Sequence, residues 1–123
     1  KEMKKILVID DVRSIRTLVI YGLENLGYSV ESAADGEEGW DKVLSFAPDL
    51  VITDLMMPRL HGLDLLDRIR RAPRTKTVPV LCMTSDDDID VKQSAASQGA
   101  TGWIQKPFHP ETWGEMLKHI LQQ

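Results

Sequence analysis

The sequence predicts a doubly wound α/β fold: five parallel strands in the order 2-1-3-4-5, with helices on both faces. Three observations point there. The runs KILVID (5–10), DLVITD (49–54) and VPVLCMT (78–84) are short, continuous and rich in Val, Ile and Leu, as strands buried on both faces of a parallel sheet are. The runs YSVESA (28–33) and TGWIQ (101–105) are more polar and suit sheet edges. Amphipathic stretches alternate with these runs, with no linker, repeat or low-complexity tract between them. Right-handed crossovers then put the three apolar strands in the centre and the two polar ones outside.

The elements follow in order. After the first strand, Ile15, Leu18, Val19, Gly22 and Leu26 lie on one helical face, and Gly27 marks the stop. The second strand leads to a helix on which Trp40 is an apolar anchor rather than a ligand stacker. The third strand ends at Asp54 and the fourth at Thr84 and Ser85. The acidic run Asp86-Asp87-Asp88 reads as a solvated loop that caps the next helix. That helix, within IDVKQSAASQGA (89–100), has a weak apolar face made mostly of alanine, so it is expected to be loosely held, with Gly99 at its end. Lys106 and Pro107 follow the fifth strand, and Trp113, Met116, Leu117, Ile120 and Leu121 give the last helix its apolar face.

At 123 residues the chain fits one domain, residues 1–123, with a real core. Fifteen basic against nineteen acidic residues leave a net charge of −4. No basic run or stripe is expected among them, so direct nucleic-acid binding by this domain is not expected either. The single cysteine, Cys82, lies in an apolar run and reads as a buried structural thiol. No apolar run is long enough to cross a bilayer, so no membrane insertion is expected and a cytoplasmic location is the default.

In such a sheet, ligands bind beyond the carboxyl ends of the strands, near the point where strand order reverses. Those ends carry Asp10 and Asp11, then Asp54, then Thr84 and Ser85, then Lys106. Taken singly, Asp54 is most simply a turn or helix N-cap residue. That reading explains each residue alone but not their convergence. Three carboxylates close together repel unless a cation lies among them, and an all-oxygen, highly charged site suits Mg²⁺. A carboxylate can also attack phosphorus to give an aspartyl phosphate, with an ammonium and a hydroxyl holding the phosphoryl oxygens.

The stretches LVIDD, VITDLMMPRLHGLDLL, VLCMTS and GATGWIQKPF resemble the four signature stretches of response-regulator receiver domains, in order and over essentially the whole chain. They are especially similar to single-domain chemotaxis receivers. The resemblance implies a flavodoxin-like (CheY-like) three-layer sandwich acting as a phosphorylation switch in a two-component phosphorelay. Asp54 would be the phosphoacceptor. Asp10, Asp11 and Asp54 would hold Mg²⁺ together with the Met56 backbone carbonyl. Lys106, before a cis peptide to Pro107, would contact the phosphoryl group. Thr84 and Trp103 would form the switch, and helix 4, strand 5 and helix 5 the output surface. The implied partners are a histidine kinase or phosphotransfer protein as donor and a protein target downstream, the receiver itself being a monomer or weak dimer.

Four positions depart from the family's pattern, in three respects. Met56 and Asp86 stand where neighbours tune phosphoryl lifetime; the switch aromatic is Trp103 rather than Tyr or Phe; and Leu55 follows the acceptor. An indole is larger than a phenol, so an inward resting position for Trp103 is one of two alternatives.

The histidines His61, His109 and His119 lack ligand spacing and read as solvated, and Met57 reads as packing. A dehalogenase-type phosphatase also uses an Asp nucleophile but needs a carboxylate two residues later, where this chain has Met56, so turnover of an external substrate is not expected. A nucleotide-cofactor binder is disfavoured by the acidic, glycine-free first loop DDVRSI. Ending at Gln123 without a linker, the chain is expected to be a free-standing receiver, the alternative being a receiver cut from a longer regulator.

Overall fold

The three Val/Ile/Leu-rich runs form the middle of the sheet. The computed structural model describes residues 3–55, 59, 61–84, 89–105 and 108–123, without the side chains of Thr84, Ile89 and Val91. In chain order the elements are β1 (Lys5–Ile9), α1 (Arg13–Asn25), β2 (Ser29–Ala33), α2 (Gly36–Phe46), β3 (Leu50–Asp54), α3 (Gly62–Arg71), β4 (Val80–Thr84), α4 (Ile89–Ser97) and β5 (Gly102–Gln105). A 3₁₀ turn (Pro110–Thr112) then precedes α5 (Gly114–Ile120). All strand pairs are parallel and the order is β2-β1-β3-β4-β5, as the alternation of runs predicts.

Successive side chains on a strand point to opposite faces, and here both faces are covered. Ile6, Val8, Leu50, Ile52, Leu81, Met83 and Ile104 meet Val19 and Leu23 of α1 and Trp113, Leu117 and Leu121 at the C-terminus. Leu7, Ile9, Val51, Val80 and Cys82 meet Val43 of α2, Leu65, Leu66 and Ile69 of α3, and Ala95 of α4. The edge strands are less buried, as their polarity implies.

Gly27 and Gly99 end α1 and α4 at φ +98° and +96°, the left-handed conformation that favours glycine. The predicted faces of α5 and Trp40 hold: Met116 and Ile120 pack against the first cluster and Trp40 against the second. The face of α1 needs correction. Leu18 and Leu26 are 45% and 36% exposed, while Leu23 is fully buried. The buried line runs through Val19, Gly22 and Leu23 because α1 lies hard against the 3₁₀ turn: a Cβ on Gly22 would fall 2.4 Å from Pro110 Cβ. β4 also starts later than its apolar run, at Val80. Pro79 has no N–H for the ladder, although its carbonyl accepts from Val51 N–H at 3.0 Å. No helix among the described residues is long and apolar enough to cross a membrane.

Candidate acidic phosphoacceptor site

The parallel register brings the ends of β1 and β3 side by side, with Ile9 opposite Thr53. Asp10 and Asp54 follow as next neighbours on their strands. Asp10 is 1% exposed, unusual for a carboxylate, and its backbone is fixed on both sides. Its N–H donates to Ala33 O at 3.1 Å, and its carbonyl accepts from Arg16 Nη1 at 2.7 Å. Its Oδ1 accepts from Val12 N–H at 2.7 Å, which turns the chain from β1 into α1 and leaves Asp11 exposed beside it. Asp54 is half-buried at the end of β3, behind the fully buried Thr53, whose hydroxyl donates to the Asp54 carbonyl at 2.9 Å.

One carboxylate oxygen from each of Asp10, Asp11 and Asp54 lies within 4.8 Å of the other two. This is the metal-capable cluster found among the described residues. Its chemistry suits a hard divalent cation such as Mg²⁺: oxygen donors only, high charge, and an exposed member that leaves room for water. The residues therefore fit the ion that the sequence implied.

Asp54 is not a helix cap. The cap of α3 is His61, whose Nδ1 accepts from Leu63 N–H at 3.1 Å. His61 is thus half-buried and engaged, contrary to the expectation of a solvated histidine. Gly62 behind it is needed for close approach: a Cβ there would fall 2.4 Å from the Asp54 carbonyl and 2.5 Å from Leu55 Cα. Its N–H donates to Leu55 O at 3.1 Å. The start of α3 is therefore seated directly on the end of β3, and it fixes the backbone from which the Asp54 carboxylate projects.

Next to this seat, Asp35 caps α2 by accepting from Glu38 N–H at 2.8 Å, and Glu38 returns the bond by accepting from Ala34 N–H at 2.7 Å. Arg59, at φ +63°, reaches the Asp35 carboxylate at 3.2 Å and ties the β3–α3 connection to α2. Sequence reasoning passed over Arg16, Asp35, Arg59 and Gly62 and took His61 for a solvated residue. Only Asp35 carried a readable signal, the capping spacing to Glu38.

On the other side of Asp54, β4 pairs Met83 with Asp54 and ends at Thr84, opposite Gln105 of β5. Met56, Met57, Ser85, the run 86–88, Lys106 and Pro107, and with them the expected cis peptide, lie outside the described residues. Trp103 is opposite Cys82, and its ring is 42% exposed, with Lys92 Nζ of α4 5.8 Å from the ring centre. Trp103 is thus exposed rather than enclosed. Cys82 is buried as expected; burial pushes its thiol up to about 12, only partly opposed by the nearby Arg70 charge. His109 and His119 are exposed.

The expectation of no basic run fails at residues 68–76, which hold Arg68, Arg70, Arg71, Arg74 and Lys76. These residues belong to the carbonyl end of α3 and the turn after it, where cations are favoured by the helix dipole. Arg68 faces Glu37 at 3.8 Å and Arg71 pairs with Asp67 at 2.9 Å, so part of this charge is matched locally.

Residues 6–118 match the family model described as "Response regulator receiver domain". The chain belongs to the response-regulator receiver family. The receiver is 38% identical over 120 residues to the alkaline phosphatase synthesis transcriptional regulatory protein PhoP of Bacillus subtilis, covering 98% of this chain and 49% of that protein. It is 39% identical over 118 residues to the DNA-binding dual master transcriptional regulator RpaA of Synechocystis, covering 96% of this chain and 48% of that protein. Among solved structures, the chemotaxis response regulator CheY4 of Vibrio cholerae matches with a TM-score of 0.89 and 38% identity, covering 97% of the receiver and 99% of that chain. The receiver thus spans about half the length of these curated relatives and the whole of the chemotaxis protein.

Proposed function

We propose that Asp54 accepts a phosphoryl group from the phosphohistidine of a sensor kinase or phosphotransfer protein, and that the resulting charge resets the surface of α4, β5 and α5. A carboxylate oxygen of Asp54 attacks phosphorus, the bond from phosphorus to the donor nitrogen breaks, and the imidazole leaves with a proton. Water later cleaves the aspartyl phosphate, so the receiver turns over only its own modification. Asp10, Asp11 and Asp54, with the Met56 carbonyl, would hold Mg²⁺, which offsets the charge gathered on the phosphoryl oxygens. The protein supplies fixed positions: Asp10 is held by Val12 and Ala33, and Asp54 is backed by Thr53 and Gly62. Lys106 would contact the phosphoryl group, while Thr84 and Trp103 would report it to the output surface.

The observation that carries this reading is the meeting of three carboxylates from two strand ends at one rim. When the protein meets a small acyl phosphate and Mg²⁺, intact-protein mass spectrometry is expected to show one added phosphoryl group, absent from Asp54→Asn. A phosphoryl group placed on Thr84 or Ser85 instead would overturn the assignment.

The relatives named as transcriptional regulators are twice as long as the receiver, which favours a receiver that works within a longer regulator. On that reading, contact with DNA belongs to the rest of the protein. The likeness to the chemotaxis regulator supports the free-standing alternative.

A further inference from the structure

α4 is fastened at its C-terminal turn. Of its described side chains, Ala95 is fully buried, while Asp90, Gln93, Ser94, Ala96 and Ser97 are exposed. The buried Ala95 methyl contributes about 0.8 kcal/mol. Among the described residues, two side chains add polar attachment at the C-terminal turn. Gln98 Nε2 donates to the Leu63 carbonyl of α3 at 3.0 Å. Arg70, in the last turn of α3, donates from Nε to the Gly99 carbonyl at 2.9 Å. Its Nη1 also donates to the Val78 and Lys76 carbonyls, at 2.6 Å and 3.2 Å.

The fit around that guanidinium is close. Gly99 has φ +96°, and a Cβ there would lie 3.0 Å from Arg70 Nε. Beyond the turn, Ala100 N–H donates to Ala95 O at 2.9 Å and Thr101 N–H to Val80 O at 2.8 Å, so the chain enters β5 without slack. One planar fork thus ties together the end of α4 and the lead-in to β4, both carried on the well-packed α3. Lysine could not reproduce it, having one donor centre instead of a fork.

We infer that Arg70 and Gln98 are the pivot of α4. The C-terminal turn stays fixed to α3, while the N-terminal turns, which follow the connection from Thr84, swing and carry Lys92 across the face of Trp103. The force that drives the swing rests on the receiver reading above; the fastening does not. Arg70 is a positioning residue, remote from the carboxylate rim and with no part in phosphoryl transfer.

Peptide-resolved hydrogen exchange on the whole chain tests this, with and without beryllofluoride and Mg²⁺. In the wild type, the ligand is expected to change exchange in residues 89–95 and to leave 97–101 unchanged. Without ligand, Arg70→Met is expected to raise exchange across 89–101 about tenfold, beyond any change in β1 and β3 peptides, because charge-assisted bonds to the turn are lost. Gln98→Ala should do the same more weakly, and it carries the comparison if Arg70→Met folds poorly. Arg71→Met, which loses only the pair with Asp67, is the control. Loss of protection spread evenly over β1, β3 and α4 would overturn the pivot, as would a ligand response in 97–101 equal to that in 89–95. If the wild type fails to bind beryllofluoride, the receiver reading falls, and the ligand-free variants still decide the fastening.

Discussion

Around Asp54 the chain is clamped, whereas the described residues around Trp103 are more exposed. Leu65, Leu66 and Ile69 of α3 are fully buried, Gly62 is seated on the Asp54 carbonyl, and Arg16 grips the backbone of Asp10. α4, on the same side of the sheet, fully buries Ala95 among its described side chains, and β5 turns Trp103 and Gln105 to solvent. The contrast suits the proposed function. Group transfer needs a nucleophile fixed in place before the donor arrives. A surface that must change on modification is drawn from the least stable part of a fold.

The largest test of this contrast is a pair of truncations. Leu66→Ala should cost about 3 kcal/mol, from lost burial plus the cavity left behind. Ala95→Gly should cost about 1–2 kcal/mol, from one methyl and helix propensity. Urea unfolding measures both, and equal costs would break the comparison. Next comes Gly62→Ala, expected to destabilise by about 1–3 kcal/mol as the backbone around Asp54 shifts. The same variant should also lose part of the stabilisation that Mg²⁺ gives in thermal melts. A Gly62→Ala protein with wild-type stability and Mg²⁺ response would mean that α3 is no fixed seat.

The smallest effect sharpens the boundary between the two regions, where Cys82 of β4 lies near Arg70. Its thiol, moved by burial from an ordinary 9.0 to about 12, stays protonated in the folded chain after it would ionise in the unfolded one. The unfolded state then holds fewer protons, so this contribution is full below about pH 9 and is lost as pH rises towards 12. Cys82→Ser should flatten that part of the stability profile. Alkylation of Cys82 at pH 8 should proceed no faster than global unfolding, and a faster rate would show that β4 opens locally.

The sheet and its order were legible because the apolar runs differ so sharply from the polar ones. KILVI and LVIT could only be central, and SVESA could only be an edge. The three carboxylates were legible because strand ends in a parallel sheet share one rim. The packed side of α1 was not. Leu18 and Leu23 are equally apolar, and only the contact of Gly22 with Pro110, from a distant part of the chain, decides between them. His61 was misread because capping by an imidazole nitrogen leaves no familiar spacing. Arg70 carried no reading from the sequence, and nothing local says that its partners are carbonyls 6 to 29 residues away.

The pairing of β1 with β3 has a kinetic consequence. The two strands meet across 44 positions of chain, as the bond from Lys5 N–H to the Asp49 carboxylate marks, and closing such a loop costs about 3 kcal/mol beyond a constant. Asp10 and Asp54 are strangers until that closure, and from then on they repel. A divalent cation therefore has nothing to bind in the open chain and everything to bind once the central pair has formed. If the pair forms before the rate-limiting barrier, the ion speeds folding; if after, it only slows unfolding. The acidic cluster is thus also a clock, and the dependence of the two rates on cation concentration dates the formation of the centre of the sheet.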